Sequence, residues 1–307
     1  MSTDRVSSPL ALIGLGKMGA NMARRLARGG ISVHGFDAIA PARAALAGEP
    51  GVIVHESLAA AIGALPVPRV VWMMLPSGAA SEQVLGEIQA LLTAGDLIVD
   101  GANANYLDSQ RRGAAIAQHG IEFVDCGVSG GVWGLENGYC LMLGGERPAI
   151  ERVIGYAQVL APKRERGWLH CGPSGAGHFV KMIHNGIEYG MMQALAEGFA
   201  LLAGRPELDL DLGQIAENWR HASVVRSWLL DLTAQALQGT EALETIAPRV
   251  ADSGEGRWSV DEAIRQGTPA PVLVAALMSR FDSQGKADTA NRLLAVMRKG
   301  FGGHEPG

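Results

Sequence analysis

Gly14-Leu15-Gly16-Lys17-Met18-Gly19 follows the apolar run Leu10–Ile13 directly and opens an Ala-rich stretch, Lys17–Arg28, that stops at Gly29-Gly30. A G-x-G-x-x-G set between a strand and a helix leaves a chain few options. Its first glycine permits a tight turn, its second lets backbone approach a pyrophosphate, and its third lets helix and strand pack closely. The helix start offers free N–H groups and partial positive charge to phosphates. A glycine-rich turn without a ligand is the plain alternative. Against it stands a second β-like run, Ser32–Phe36, that ends at Asp37. An acidic side chain there accepts from the ribose 2′-hydroxyl of NAD and repels the 2′-phosphate of NADP. The first Arg after it is Arg43. The expected cofactor is therefore NAD rather than NADP, held by Gly14, Leu15, Gly16, Lys17, Met18, Gly19 and Asp37.

The pattern continues in the same style. Val70–Met74, Leu97–Asp100 and Glu122–Asp125 read as further strands between helical segments, which argues a parallel sheet covered on both faces. From about Gly175 the apolar residues recur at helical spacing, with stops at Gly204-Arg205-Pro206, Pro248 and Pro269–Pro271. The expected architecture is an α/β Rossmann-type doubly wound sheet followed by an all-α C-terminal domain. The boundary falls between residues 1–172, the NAD-binding domain, and 173–307, a helical substrate-binding and oligomerisation domain with a C-terminal tail. With 48% hydrophobic and 19% charged residues and a net charge of −5, the 307-residue chain is ordinary globular protein without a nucleic-acid footprint. Cys126, Cys140 and Cys171 lack disulfide or metal spacing, and the eight histidines show no ligand pattern, so no metal is expected. The start Met1–Pro9 is polar and the apolar run after it is short, so no signal peptide is expected, and the most apolar segment, Gly177–Gly204, carries Lys181, His184 and Glu188. A cytoplasmic protein without a membrane span is expected.

That segment holds the second informative feature. Lys181, His184, Asn185 and Glu188 are spaced i, i+3, i+4, i+7 and fall on one helix face within apolar surroundings. Burying such a stripe is costly unless its members are paired or functional. A paired Lys–Glu couple in a helical core, or a solvent-facing side, is the structural alternative. A buried lysine has its pKa lowered by desolvation and accepts a proton near neutral pH, and a glutamate two turns on can handle a second. Two such groups beside a nicotinamide suit oxidation of an alcohol followed by another proton-dependent step.

Four segments together resemble the decarboxylating 6-phosphogluconate dehydrogenases of the β-hydroxyacid dehydrogenase superfamily: Gly14–Gly19, Asp100-Gly101-Ala102-Asn103, Val128-Ser129-Gly130-Gly131, and the run from Gly177 through Lys181-Met182-Ile183-His184-Asn185-Gly186-Ile187-Glu188 to Tyr189. The chain is similar to the short, NAD-linked form. The resemblance implies oxidative decarboxylation of 6-phospho-D-gluconate to D-ribulose 5-phosphate and CO2. Lys181 would be the base that takes the 3-hydroxyl proton, and Glu188 the acid that protonates carbon one. Leu75 and Asn103 would join the cofactor site. Asn103, Ser129, Gly130, Gly131, His184 and Asn185 would position substrate, while Tyr189, Arg257 and Arg280 would hold its phosphate. Arg298 and His304 in the tail would reach the substrate of a neighbouring subunit, implying a homodimer or homotetramer with tail-shared sites.

After Ser129-Gly130-Gly131 the chain has Val132-Trp133-Gly134-Leu135-Glu136 where the long form places an acidic pair, a departure that reshapes the expected pocket. Two other readings stand beside the first. One is an NAD-dependent dehydrogenase or reductase of another β-hydroxy acid, without decarboxylation, which needs neither Glu188 nor a phosphate clamp. The other is a non-catalytic NAD-binding regulatory protein, which has no reason to keep Lys181, Asn185 and Glu188.

Overall fold

The computed structural model describes residues 8–239 and 243–302. The chain divides into two compact units, Met1–Met182 and Ile183–Gly307. The first begins β1 (Leu10–Ile13), α1 (Lys17–Arg28), β2 (Val33–Phe36), α2 (Ala40–Ala44), β3 (Val52–Val54) and α3 (Leu58–Gly63). It continues β4 (Val70–Met73), α4 (Ala79–Leu91), β5 (Leu97–Asp100), α5 (Tyr106–Ala117) and β6 (Glu122–Ser129). It closes with α6 (Gly134–Asn137), β7 (Cys140–Gly145), α7 (Arg147–Leu160), β8 (Trp168–Gly172) and the opening turns of α8 (Ala176–Ala203).

The described strands form one eight-stranded sheet in the order β3-β2-β1-β4-β5-β6-β7-β8. The chain reverses direction across the sheet between β1 and β4, and ligands of doubly wound folds bind outside the carboxyl ends of the strands at such a switch point. Strand alternation explains the continuous apolar runs. Leu10 and Leu12 face one layer with Met22 and Leu26 of α1 and Val153 and Leu160 of α7. Ala11 and Ile13 face the other, with Ile62 of α3, Leu85 and Ile88 of α4 and Ile116 of α5. A sheet buried on both faces must be apolar at every position, not every second one.

The sheet departs from the all-parallel expectation at one place. β7 runs antiparallel to β6, with Val128 opposite Leu141 and Ser129 opposite Cys140. The intervening residues, a 3-10 turn at Gly131–Trp133 and the single-turn α6, form too short a connection for a parallel crossover. β6 also extends four residues past the expected Asp125, to Ser129.

In the second unit α8 continues to Ala203, followed by α9 (Leu212–Trp219), α10 (Trp228–Gln238), α11 (Glu255–Gln266), α12 (Pro271–Ser283) and α13 (Asp288–Gly302). Phe199 of α8, Ala216 of α9 and Leu230 and Ala234 of α10 make its buried cluster. Asp211 and Ser227 cap α9 and α10 by accepting from the Gln214 and Leu230 backbone N–H groups. No helix among the described residues is long and apolar enough to cross a membrane.

Candidate active site

The glycine loop sits at the carboxyl end of β1, at the switch point. Gly14 has φ +96°, a left-handed conformation that favours glycine. Side chains at Gly14 or Gly19 would collide with backbone: a Cβ on Gly14 would overlap the Met74 carbonyl and press on Leu75, and one on Gly19 would overlap the Gly14 carbonyl. Gly16 is different. Nothing lies within 4 Å of where its Cβ would stand, and α1 starts there without a side-chain cap or an acidic residue in its first turn. The crowded glycines let the strand meet the helix, and the open one leaves its N-terminus accessible to a phosphate. This cradle fits a dinucleotide.

Asp37 follows β2 immediately. Its carboxylate accepts from the Leu15 N–H at 2.7 Å and the Ile39 N–H at 2.8 Å, so it ties the glycine loop to the second strand. Leu75 lies against Gly14 on the β4 side. Lys17 is exposed and Met18 half-buried on the first turn of α1. Sequence reasoning placed Asp37 at the ribose, and the structure adds that this carboxylate also braces the loop.

Lys181 owes its position to a seat of glycines. It is 5% exposed and packs on β6 where Gly127 leaves no side chain. A Cβ on Gly127 would overlap Lys181 Cβ and stand 3.1 Å from its Cγ. One turn earlier, Gly177 lies so close to the Met142 and Asp125 carbonyls that no larger residue fits. The buried Asp125 carboxylate accepts from the Gly175 and His178 N–H groups at 2.6 and 2.8 Å and so anchors the start of α8. Burial pushes the Asp125 carboxyl above its ordinary value, while His178 and the backbone donors pull the other way. His178 is itself buried, with Nδ1 2.7 Å from Ser109 Oγ. Asp125, His178 and Ser109 were not among the residues singled out from the sequence, because only the three-dimensional packing of β6 and α5 against the start of α8 gives them a role.

Asn103 has φ +51°. Its side-chain amide is tied to β6, donating one N–H to the Val128 carbonyl at 3.1 Å and accepting from the Val128 N–H at 2.9 Å, which leaves its second N–H for a ligand. It thereby fixes the strand end that leads into Ser129, Gly130 and Gly131. The two glycines have φ +137° and +54°, and the turn projects Val132 and Trp133 outward, each about half exposed. The Val132 carbonyl accepts from Asn21 of α1 at 3.1 Å, which links this departure from the family pattern to the nucleotide-binding helix.

Along α8, His184, Asn185 and Glu188 continue the Lys181 face at helical spacing. The expectation of a uniformly buried stripe is corrected: Lys181 is buried, whereas His184 and Glu188 side chains are each 39% exposed. The exposure extends to their apolar neighbours Val180, Ile187 and Met191. His184 Nδ1 lies 3.0 Å from Asn185 Oδ1 and 3.9 Å from Glu188 Oε2. The Asn185 amide donates to Glu255 at 3.1 Å.

In the second unit, the residues expected to hold a phosphate gather around the loop that starts α11. Tyr189 is buried, its hydroxyl 3.2 Å from Ser253 Oγ. Arg280 is buried above the Tyr189 ring, Cζ 3.5 Å from its centre, and donates to the Ala251 carbonyl. Arg257 stacks over Phe281 at 4.3 Å and pairs with Asp252. Asp252, Ser253 and Glu255 went unnoticed in the sequence. The signal was the Asp-Ser-Gly turn, whose Gly254 has φ +105° and precedes α11. Arg298 is exposed on α13. His304 lies outside the described residues.

Two family profiles cover most of the chain: the NAD binding domain of 6-phosphogluconate dehydrogenase over residues 9–163, and the 6-phosphogluconate dehydrogenase C-terminal domain over residues 177–300. The chain belongs to the 6-phosphogluconate dehydrogenase family. It is 39% identical over 299 residues to a Haloferax volcanii protein named 6-phosphogluconate dehydrogenase, NAD(+)-dependent, decarboxylating, spanning 96% of this chain and 97% of that one. A decarboxylating 6-phosphogluconate dehydrogenase of Staphylococcus aureus is 33% identical over 93% of this chain, which covers 64% of its length. The fold superposes on the Plasmodium falciparum 6-phosphogluconate dehydrogenase with a TM-score of 0.83 and 27% identity, over 96% of this chain and 65% of that one. The chain thus matches nearly all of the Haloferax relative and spans about two thirds of the two longer enzymes.

Proposed function

We propose that this chain oxidatively decarboxylates 6-phospho-D-gluconate to D-ribulose 5-phosphate and CO2, with NAD as the hydride acceptor. The observation that carries the reading is Lys181: buried on a glycine seat, on the helix face that also carries Glu188. Residues 1–172 serve as the cofactor domain and 173–307 as the substrate-binding and oligomerisation domain.

A dinucleotide held by Gly14–Gly19 and Asp37 would supply the hydride acceptor for carbon three. Lys181 takes the proton of the 3-hydroxyl as that carbon becomes a ketone. The carbonyl, now β to the carboxylate, accepts the electron pair of the breaking carbon–carbon bond, and protonated Lys181 steadies the developing enolate oxygen. Glu188 then gives a proton to the carbon that lost CO2, which becomes carbon one of the ketopentose, so charge and atoms balance: one hydride, one proton and one CO2 leave the sugar acid, and one proton returns. Asn103, Ser129, Gly130, Gly131, His184 and Asn185 orient the carboxylate and hydroxyls. Tyr189, Arg257 and Arg280 hold the distal phosphate, for which a guanidinium fork is suited. Asp37 selects NAD.

The assembly is a homodimer or homotetramer in which the tail, with Arg298 and His304, completes a neighbouring site. Exposed Leu293, Leu294, Val296 and Met297 on α13 support this, since a stripe of large apolar side chains is costly to leave in water. The test is an initial-rate comparison of 6-phosphogluconate with gluconate, each with NAD and with NADP. Preference for 6-phosphogluconate and NAD is expected, and preference for gluconate would remove the phosphate assignment.

A further inference from the structure

Asp37 is not the only charge at the end of β2. Arg43, on α2, reaches back and donates to the Asp37 and Ala38 carbonyls at 2.9 and 3.3 Å, and the other arm of its guanidinium pairs with Glu56 at 2.6 Å. The Arg43 side chain is only 16% exposed, whereas that of Glu56, just past β3, is 84% exposed. The loop that would meet the adenosine ribose therefore carries a fixed cation, and a surface carboxylate occupies it.

We propose that Glu56 is a specificity-determining residue: by holding Arg43 it keeps a phosphate-binding guanidinium from serving NADP, and so completes the discrimination begun by Asp37. The inference rests on the NAD-binding reading above. The chemistry is simple. Arg keeps its charge at any relevant pH and binds phosphate oxygens in a bidentate fork. A 2′-phosphate is the one feature of NADP absent from NAD, and it needs such a partner. With Glu56 in place, Asp37 and Glu56 outweigh Arg43 by one negative charge, and the arm of the fork turned away from the backbone is taken. Without the Glu56 charge the group is neutral and that arm is released, while the bonds to the Asp37 and Ala38 carbonyls still keep Arg43 at the loop. Glu56 is exposed, so its replacement does not disturb a core.

The experiment is fluorescence titration of the full chain with NADH and with NADPH, independent of any sugar substrate, at low and at physiological salt. Glu56→Gln is expected to tighten NADPH about fivefold, the scale of one exposed charge pair, while NADH changes less than about twofold. Arg43→Gln added to Glu56→Gln is expected to abolish that gain, because the released guanidinium is what meets the 2′-phosphate. The gain in Glu56→Gln is expected to shrink as salt rises, because the interaction is between solvent-accessible charges. A ratio of the two dissociation constants that stays within twofold of wild type in Glu56→Gln would overturn the proposal. So would a parallel loss of both cofactors, which marks a purely structural brace. Wild-type chain that binds neither nucleotide would instead overturn the NAD-binding reading beneath it.

Discussion

Gly127→Ala is a one-methyl change, three strands across the sheet from β1 and its nucleotide loop, that ought to disable the enzyme. The added Cβ would overlap Lys181 Cβ and stand 3.0 Å from the Gly177 carbonyl oxygen. Carbon atoms settle about 3.5–4.0 Å apart, so strand or helix must give by roughly an ångström. Neither gives easily. β6 is held between β5 and β7, and the start of α8 is held by Asp125 and by the close packing of Gly177. Overpacking of this kind costs about 1–3 kcal/mol of stability. A reactive group displaced by an ångström loses on the order of a hundredfold in rate, equivalent to about 2.7 kcal/mol of barrier. The assay is NADH formation from 6-phosphogluconate, alongside NADH binding by fluorescence and thermal melting. The expected variant melts a few degrees lower, binds NADH as wild type does, and has kcat/KM reduced about a hundredfold. Activity within threefold of wild type would refute the claim that the glycine seat places Lys181.

Glu188→Gln tests the proposed proton donor while keeping its shape, and kcat should fall about 10²–10⁴-fold with NADH affinity unchanged; an unchanged rate would point to another acid. Arg280→Met should raise KM for 6-phosphogluconate roughly ten- to a hundredfold, since a charge-assisted hydrogen bond contributes about 1.5–3 kcal/mol, and a KM near wild type would remove Arg280 from the phosphate grip. Burial and the neighbouring His55 ring, 2.9 Å away, lower the His34 pKa from its ordinary 6.5. The unfolded chain then takes up the proton first, so stability is present above about pH 6.5 and lost as pH falls below it. Thermal melts between pH 7.5 and 5.5 should show a decline that His34→Gln reduces; an equal decline in both proteins would acquit this pair.

The first third of the fold was legible because its signals are local. Gly14–Gly19, the flanking apolar runs and Asp37 each dictate a backbone conformation or a charge within a few residues. β3, β7 and β8 escaped notice for physical reasons. β3 is three residues on the sheet edge, β7 ends in Gly144-Gly145, and β8 is half-buried and interrupted by an irregular register with β7. At the site, helical spacing alone put Lys181, His184, Asn185 and Glu188 on one face. It could not say that the apolar flank would be exposed, because that depends on what the flank packs against. The supports of the site were the least legible. Asp125 and Glu255 matter through partners 50 or more residues away for Asp125 and 70 for Glu255, and Gly127 through its contact with Lys181, relations no local pattern encodes.

In the proposed mechanism one helix face, carrying Lys181 and Glu188, couples alcohol oxidation to loss of the carboxylate. The most direct measurement supplies 6-phosphogluconate labelled at carbon one, with NAD, and counts labelled CO2 against NADH formed. One CO2 for each NADH is expected, with ribulose 5-phosphate as the sugar product. NADH formed without labelled CO2, leaving a six-carbon keto acid, would contradict it.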